Sequence, residues 1–212
     1  MGLNGCRRDH RGMNTLILFP VKRTRRLLAL LVLAIPLLPA GCGDSPEQAQ
    51  QRGAELLTLA ERGDVSALDA LLGRHADADV RDSCQWTPLM KAALNGHRDA
   101  VARLLAAGAD VDAADKGGYT ALMLAASNNH ADVVELLLEQ GAMIDAQERT
   151  QGFTALSWAA QRGHAETVQV LLRHGADTTL PDLEGKTAAD HARAEGHADV
   201  LALLKPATVA GG

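Results

Sequence analysis

Apolar positions repeat through most of the chain, from residue 53 onward, with a spacing of 33 or 34 residues. In one repeat, Leu89 and Ala92 stand three positions apart, and after a short polar break Val101, Leu104 and Leu105 stand at intervals of three and four. Such intervals place side chains on one face of an α-helix. The pattern therefore predicts two short amphipathic helices in each repeat.

Three sets of residues that begin or end helices recur with the same spacing. A threonine hydroxyl predicts an N-cap for each first helix, and a Gly-His or Asn-His pair separates the two helices. A glycine ends each second helix. Since helices of about eight residues are marginal alone, the pairs must stack on one another. The recurring residues are Thr87, Thr120, Thr154 and Thr187; His97, His130, His164 and His197; and Gly108, Gly141 and Gly175.

Aromatic residues make up 2% of the chain, so the core must consist mainly of alanine, leucine and valine. Alanine at the contact faces lets neighbouring helix pairs approach closely. We therefore expect an all-α solenoid of stacked helix pairs, with projecting β-hairpin loops in the Asp- and Gly-rich connections. The contact alanines are Ala92, Ala93, Ala125, Ala126, Ala159 and Ala160.

One repeat carries the motifs Gly118-Tyr119-Thr120-Ala121-Leu122, Ala125-Ala126, His130, Val133-Val134, Leu137-Leu138 and Gly141-Ala142. In these motifs and in its length it resembles an ankyrin repeat, and the resemblance covers residues 53–205. It implies a non-catalytic module that binds a protein. The repeats are 53–81, 82–114, 115–147, 148–181 and a truncated unit from 182, and the extra residue of the fourth falls between Asp145 and Phe153.

The chain departs from the ankyrin pattern at several places. The family's Thr-Pro-Leu-His motif has another residue in place of His in every repeat, so we expect the loop-to-loop tie of that His to be missing. Gln85 stands where other hairpins have glycine, which predicts backbone strain. The polar outer faces of the end repeats predict capping units. The replaced positions are Met90, Met123, Ser157 and Asp190, and the outer faces carry Glu55, Thr58 and Glu61 at one end and Ala189, Asp190 and Arg193 at the other.

The N-terminal segment is built differently. A basic cluster ending at Arg26 precedes the apolar run Leu27–Leu38, which is shorter than the 20 or so residues that span a bilayer. This order predicts a secretory signal peptide over residues 1–41. Leu38-Pro39-Ala40-Gly41-Cys42 resembles a bacterial lipobox, although Pro39 departs from it, and this implies lipidation of Cys42. Cleavage after Ala40 and an uncleaved anchor are the alternatives.

The resemblance to lipoproteins implies a cell-envelope protein that faces the periplasm. Gly43, rather than Asp, follows Cys42, which favours the outer over the inner membrane. Residues 42–52 are polar and predict a flexible tether, and residues 206–212 predict a flexible tail. If the signal is removed and Cys42 is acylated, Cys84 is left without a cysteine partner, so we expect no disulfide and either an exposed redox thiol or an incidental cysteine.

Charge and motif content exclude several functions. From residue 42 onward there are 14 basic and 25 acidic residues, a net charge of −11, which is unsuited to binding a phosphate backbone. No nucleophile elbow, phosphate loop or zinc helix motif is present, so we predict no enzyme, no cofactor and no metal site. The four repeated histidines are expected to cap helix starts, because neighbouring repeats lie too far apart to share a metal ion.

The aromatic residues are the candidate binding residues. In three repeats a ring directly precedes the threonine, and in the last repeat a lysine does; the resemblance places this position on the hairpin tips, facing the groove. Two interpretations stand: the rings bind a partner, or they brace one hairpin on the next. The candidate partner-binding residues are Trp86, Tyr119, Phe153, Trp158, Lys186, Leu94, Asn95, Ser127, Asn128, Gln161 and Arg162.

The combined expectation is a monomeric, non-catalytic ankyrin lipoprotein of the cell envelope that acts as a scaffold or assembly helper for a protein partner. Two alternatives remain open. One is an inhibitor or immunity protein against a basic toxin in the periplasm, which the net charge of −11 would favour through electrostatic steering. The other is an accessory protein of a periplasmic oxidoreductase.

Overall fold

The computed structural model describes residues 45–73 and 76–205. This part of the chain forms ten helices and no β-strand beyond an isolated bridge between Ala114 and Thr120. The projecting connections are therefore hairpin-like turns. The helices are α1 (Pro46–Arg62), α2 (Val65–Leu72), α3 (Pro88–Leu94), α4 (Arg98–Ala106), α5 (Ala121–Ser127), α6 (Ala131–Glu139), α7 (Ala155–Gln161), α8 (Ala165–Arg173), α9 (Ala188–Glu195) and α10 (Ala198–Leu204).

The threonine caps form as the sequence predicted. The hydroxyls of Thr87, Thr120, Thr154 and Thr187 each accept a hydrogen bond from the backbone N–H three residues later. These bonds satisfy N–H groups that have no partner inside the helix. The four helices α3, α5, α7 and α9 therefore begin at the same place in their repeats, directly after the hairpin.

The helices stack in two rows. The first helices of each pair, α1, α3, α5, α7 and α9, pack in that order, and the second helices do the same beside them. The six alanines expected at the contact faces are fully buried, so the prediction of an alanine-mediated stack is confirmed. The leucines and valines of the second helices fill the space between the rows. Among the described residues, no helix is both long and apolar enough to cross a bilayer.

A carboxylate closes each hairpin. Oδ1 of Asp115 accepts hydrogen bonds from the backbone N–H groups of Gly117 and Tyr119, and Asp82 and Asp182 make the same pair of bonds in their own hairpins. The carboxylate thereby holds the residue before the threonine cap in a fixed position.

The fourth repeat accommodates its extra residue by a change in the closing acid. Glu148 replaces aspartate there, and its Oε1 accepts from the N–H groups of Gln151 and Phe153. The carbonyl of Gln151 accepts a bond from the next hairpin, as the carbonyl of Gly117 does. Gln151 therefore corresponds to Gly117, and Thr150 is the inserted residue. The additional methylene of Glu148, which is buried, lengthens the side chain to match.

The repeated histidines occupy the N-cap positions of the second helices, as predicted, but their side chains do not do the capping. None of the four makes a side-chain capping bond. Each ring instead donates through Nε2 to a backbone carbonyl near the end of the first helix of the preceding repeat, as His130 does to Leu94 at 3.0 Å and His197 to Gln161 at 3.1 Å. The histidines tie adjacent repeats together because the carbonyls at a helix end lack partners within the helix.

Three further expectations can be compared with the structure near the start of the repeat array. The predicted tether is wrong beyond residue 45, because α1 begins at Pro46 with Ser45 as its cap in a complete capping box with Gln48. Gln85 has φ of 69°, which confirms the predicted left-handed strain. Cys84 is disulfide-bonded in the full chain, whereas the expectation of no disulfide concerned the exported protein after its signal is removed, so that expectation stays a prediction. The predicted signal peptide, Cys42 and the tail also lie outside those residues.

Candidate partner-binding surface

The candidate residues lie on the surface formed by the hairpins and the first helices, which we call the groove surface. The hairpin rings and Lys186 precede the threonine caps, and the remaining candidates lie on, or directly follow, the first helices α3, α5 and α7. Because the repeats stack in register, residues from equivalent positions form rows along this surface. The surroundings of each ring therefore depend on the residue of the neighbouring repeat that it meets.

Trp86 is half-buried and held by polar contacts. Its indole N–H donates to Oδ2 of Asp115 in the next hairpin at 3.1 Å, and the ammonium group of Lys91 lies 4.9 Å from the ring centroid. Lys91 also forms ion pairs with Asp82 at 3.5 Å and Glu61 at 4.0 Å. A cation over an indole face is attractive. This ring braces one hairpin on the next and still exposes part of its surface.

The other three rings and His191 form one continuous aromatic cluster. The ring centroids lie 6.0 Å apart for Tyr119 and Trp158, 5.0 Å for Phe153 and Trp158, and 4.5 Å for Phe153 and His191. Phe153 is 3% exposed and Trp158 is 8% exposed. Their burial favours the bracing interpretation for these two rings, because Trp158 and His191, on adjacent first helices, enclose Phe153.

Tyr119 lies at the edge of this aromatic cluster. Its hydroxyl is hydrogen-bonded to Oγ1 of Thr150 in the next hairpin at 3.1 Å, and burial raises the pKa of the phenol. The indole Nε1 of Trp158 is buried and has no hydrogen-bond partner, and the guanidinium of Arg162 lies 5.6 Å from the Trp158 ring centroid. Only the outer side of the cluster is accessible to a partner.

The polar candidates provide most of the accessible groove surface. Asn95, Asn128 and Arg162 directly follow their first helices and are exposed, as is Lys186 on the last hairpin. Leu94, Ser127 and Gln161 are half-buried beside them. The amide nitrogens of Asn95 and Asn128 donate to backbone carbonyls of their own helices, and both residues are exposed. This row presents polar groups in register for contact with another chain.

A buried polar pair that the sequence reasoning did not identify lies at the C-terminal end of the surface. Nε2 of His191 donates to Oδ2 of Asp182 at 2.7 Å, and both side chains are buried. Burial alone would raise the pKa of Asp182, but hydrogen bonds from the N–H of Lys186, the His191 ring and the N–H of Glu184 lower it. The available sequence signal was the closing acid of the hairpin, which recurs every 33 or 34 residues.

Beside this pair is a cleft of about 260 Å³ between the last two hairpins and helices α7 and α9. Phe153 and His191 contribute to its lining, and Leu183, which is 72% exposed, stands at the hairpin tip. Ser83, Lys116 and Arg149 occupy the position of Leu183 in the other hairpins. An apolar residue at an otherwise polar tip position was the sequence signal for this cleft.

The comparisons identify the class of protein. The family model for ankyrin repeats, in three copies, matches residues 56–148 and 143–209, so the chain belongs to the ankyrin repeat family. Ankyrin repeats are protein-interaction modules that are generally non-catalytic, and no enzyme family is indicated. No curated protein was found to match the chain. Among the described residues, no group of three or more His, Cys, Asp or Glu side chains is arranged to bind a metal ion.

Proposed function

We propose that this chain is a lipid-anchored ankyrin module of the bacterial cell envelope, which faces the periplasm and holds a protein partner on its groove surface as a scaffold or assembly helper. The observation that carries the binding role is the row of exposed polar side chains at the ends of the first helices, set on a rigid stack. Rigid positioning lowers the entropic cost of binding. The envelope location is supported by the sequence that precedes residue 45.

The short distance between Cys42 and the first helix sharpens the anchoring proposal. Because α1 begins at Pro46, three residues separate it from Cys42 and can span about 10 Å when extended. A domain on so short a connection stays near the headgroups. We therefore expect the partner to be a membrane protein or a protein that is itself held at the membrane surface.

A crosslinking pull-down from the bacterial envelope tests the binding role. The groove variant Asn95→Arg with Asn128→Arg adds two bulky charges to the groove surface and should lose the crosslinked partner. The matched control Gln140→Arg with Gln169→Arg adds the same charge at exposed positions associated with α6 and α8 and should retain it. Equal recovery of the partner by both variants would show that the groove surface is not the binding site.

Membrane fractionation tests the anchor. Replacement of Cys42 by Ser should release the protein from the membrane fraction, because the acylated thiol would be lost. Cys84→Ser serves as the control, since it makes the same replacement at another cysteine and leaves Cys42 intact. Mass spectrometry of the N-terminal peptide should find acyl chains on Cys42. Continued sedimentation of the Cys42→Ser protein with membranes would contradict the lipoprotein proposal.

A second candidate function is inhibition of a basic protein, such as a toxin delivered to the periplasm. The net charge of −11 from residue 42 onward favours it, because a strong negative field speeds association with a cationic partner. The two candidates differ in the partner that is recovered. A cationic enzyme whose activity is lost on binding would support inhibition, and an active envelope protein would support scaffolding.

A further inference from the structure

The cleft at the C-terminal end of the groove surface combines an apolar wall with an acidic border. Leu183 contributes exposed apolar surface, the nearly buried ring of Phe153 also lines the cleft, and the carboxylates of Glu184 and Glu195 are exposed in the lining. The lining includes one ammonium group, that of Lys186. Such a surface matches a side chain that has an aliphatic stem and a cationic end.

Leu183 is held in its exposed position by the backbone. Its N–H donates to the carbonyl of Gln151 in the preceding hairpin at 2.9 Å, and the backbone of Gly152 passes close to it. A Cβ at Gly152 would approach Cγ and the backbone nitrogen of Leu183 to 3.0 Å, so the two hairpins are in close contact. A large apolar side chain fixed in solvent is the kind of residue that dominates binding energy at interfaces.

The charges at the cleft leave negative charge unneutralised. Asp182 is satisfied by His191 and backbone N–H groups, and Lys186 pairs with Glu184 at 2.8 Å. Glu195 makes no ion pair with any described residue. Three carboxylates face one ammonium group if histidine is counted as neutral, so the cleft attracts a cation.

We propose that this cleft accepts a lysine or arginine side chain of the protein partner, with the aliphatic stem against Phe153 and Leu183 and the cationic end between Glu184 and Glu195. The proposal rests on the proposed binding function and assigns a chemistry to one end of its surface. The rings of Phe153 and His191 line the cleft with their centroids 4.5 Å apart but are nearly buried, so the exposed Leu183 provides most of the apolar contact with the stem. The bound cation exchanges with, or lies beside, the ammonium group of Lys186.

Titration of the full-length protein with short peptides tests this assignment. The probes are acetyl-Gly-Gly-Arg-Gly-Gly-amide and matched peptides with citrulline or glutamate at the centre. A single anchor residue should bind with a dissociation constant on the order of 1 mM. Nuclear magnetic resonance should show amide shifts at Leu183, Glu184 and Glu195 with the arginine peptide. Citrulline should bind about tenfold more weakly, and glutamate should not bind.

Two matched pairs of variants distinguish binding in the cleft from nonspecific attraction of the peptide to the acidic surface of the protein. Glu184→Gln with Glu195→Gln should weaken binding of the arginine peptide about tenfold. The control Glu139→Gln with Glu166→Gln, which changes exposed carboxylates on the second helices, should leave binding unchanged. Leu183→Ser should weaken it severalfold, whereas Met143→Ser, at a residue that is 58% exposed elsewhere, should not. Shifts spread over the whole acidic surface, or equal losses in both pairs, would overturn the proposal.

The pull-down distinguishes failure here from failure of the proposed function. If the groove variant Asn95→Arg with Asn128→Arg loses the partner while the cleft variants retain both peptide and partner affinity, the groove function stands and the basic-side-chain assignment is wrong. If the partner binds independently of the groove variant while the arginine peptide still requires Glu184 and Glu195, the cleft assignment stands and the proposed function fails.

Discussion

The first and third hairpins carry an aromatic ring at the same position, yet the two rings have different surroundings. Trp86 is half-buried and is held by Asp115 and the ammonium group of Lys91. Phe153 is 3% exposed and lies between Trp158 and His191. In both hairpins a carboxylate accepts a hydrogen bond from the N–H of the ring residue, although the third hairpin is one residue longer.

The difference follows from the residue that each ring meets on the first helices. Lys91, Leu124, Trp158 and His191 occupy one equivalent position, and the residue there varies from cationic to aromatic. Trp86 carries an N–H and can bond to a neighbouring acid, whereas Phe153 has no polar atom and gains most by full burial. One position in the repeat thus provides a partly accessible contact at one end and a core residue at the other.

The largest expected effect tests this difference between Phe153 and Trp86 directly. Phe153→Ala should lower the free energy of unfolding by about 3–5 kcal/mol because it leaves a cavity beside Trp158 and His191. Trp86→Ala should cost about 1 kcal/mol, since that ring is half-exposed. Urea unfolding followed by circular dichroism measures both. Equal losses would show that the two rings contribute alike and that burial does not separate their roles.

A smaller effect concerns the closing acids. Glu148→Asp should destabilise the protein by about 1–3 kcal/mol, because the shorter carboxylate cannot reach the buried N–H groups across a hairpin lengthened by Thr150. Deletion of Thr150 from the Glu148→Asp variant gives this hairpin the same length and closing acid as the Asp115 hairpin. It should therefore recover most of the lost stability. Thermal unfolding of the single and combined variants measures the coupling. Additive losses would contradict the length-matching explanation.

The smallest expected effect is at the tip of the first hairpin. Gln85→Gly should stabilise the protein by up to about 1 kcal/mol, because glycine adopts its φ of 69° without a Cβ penalty. The matched change Gly118→Ala, at φ of 86°, should destabilise the second hairpin. The urea midpoints of the two variants should therefore move in opposite directions. A lower midpoint for Gln85→Gly would mean that the side chain of Gln85 contributes more than its strained backbone costs.

The local features of the stack were predictable from the sequence because local chemistry determines them. Threonine caps, helix intervals, contact alanines and the site of the insertion depend on residues within one repeat. The start of α1 was predictable too, since Ser45, Pro46 and Gln48 form a capping box, but the polar composition was interpreted as a tether. The burial of Phe153 and Trp158 was not predictable in this way, because it depends on contacts between residues of different repeats.

The sequence by itself determined the ankyrin stack, its register and the positions that face the groove. The tertiary structure decided which rings are buried, that the histidines bond across repeats, and that Leu183 stands exposed beside Phe153 and the His191–Asp182 pair. These features depend on residues brought together from different repeats. A side chain is buried or exposed according to the neighbour it meets after stacking, and the spacing along the chain does not specify the fit between those two side chains.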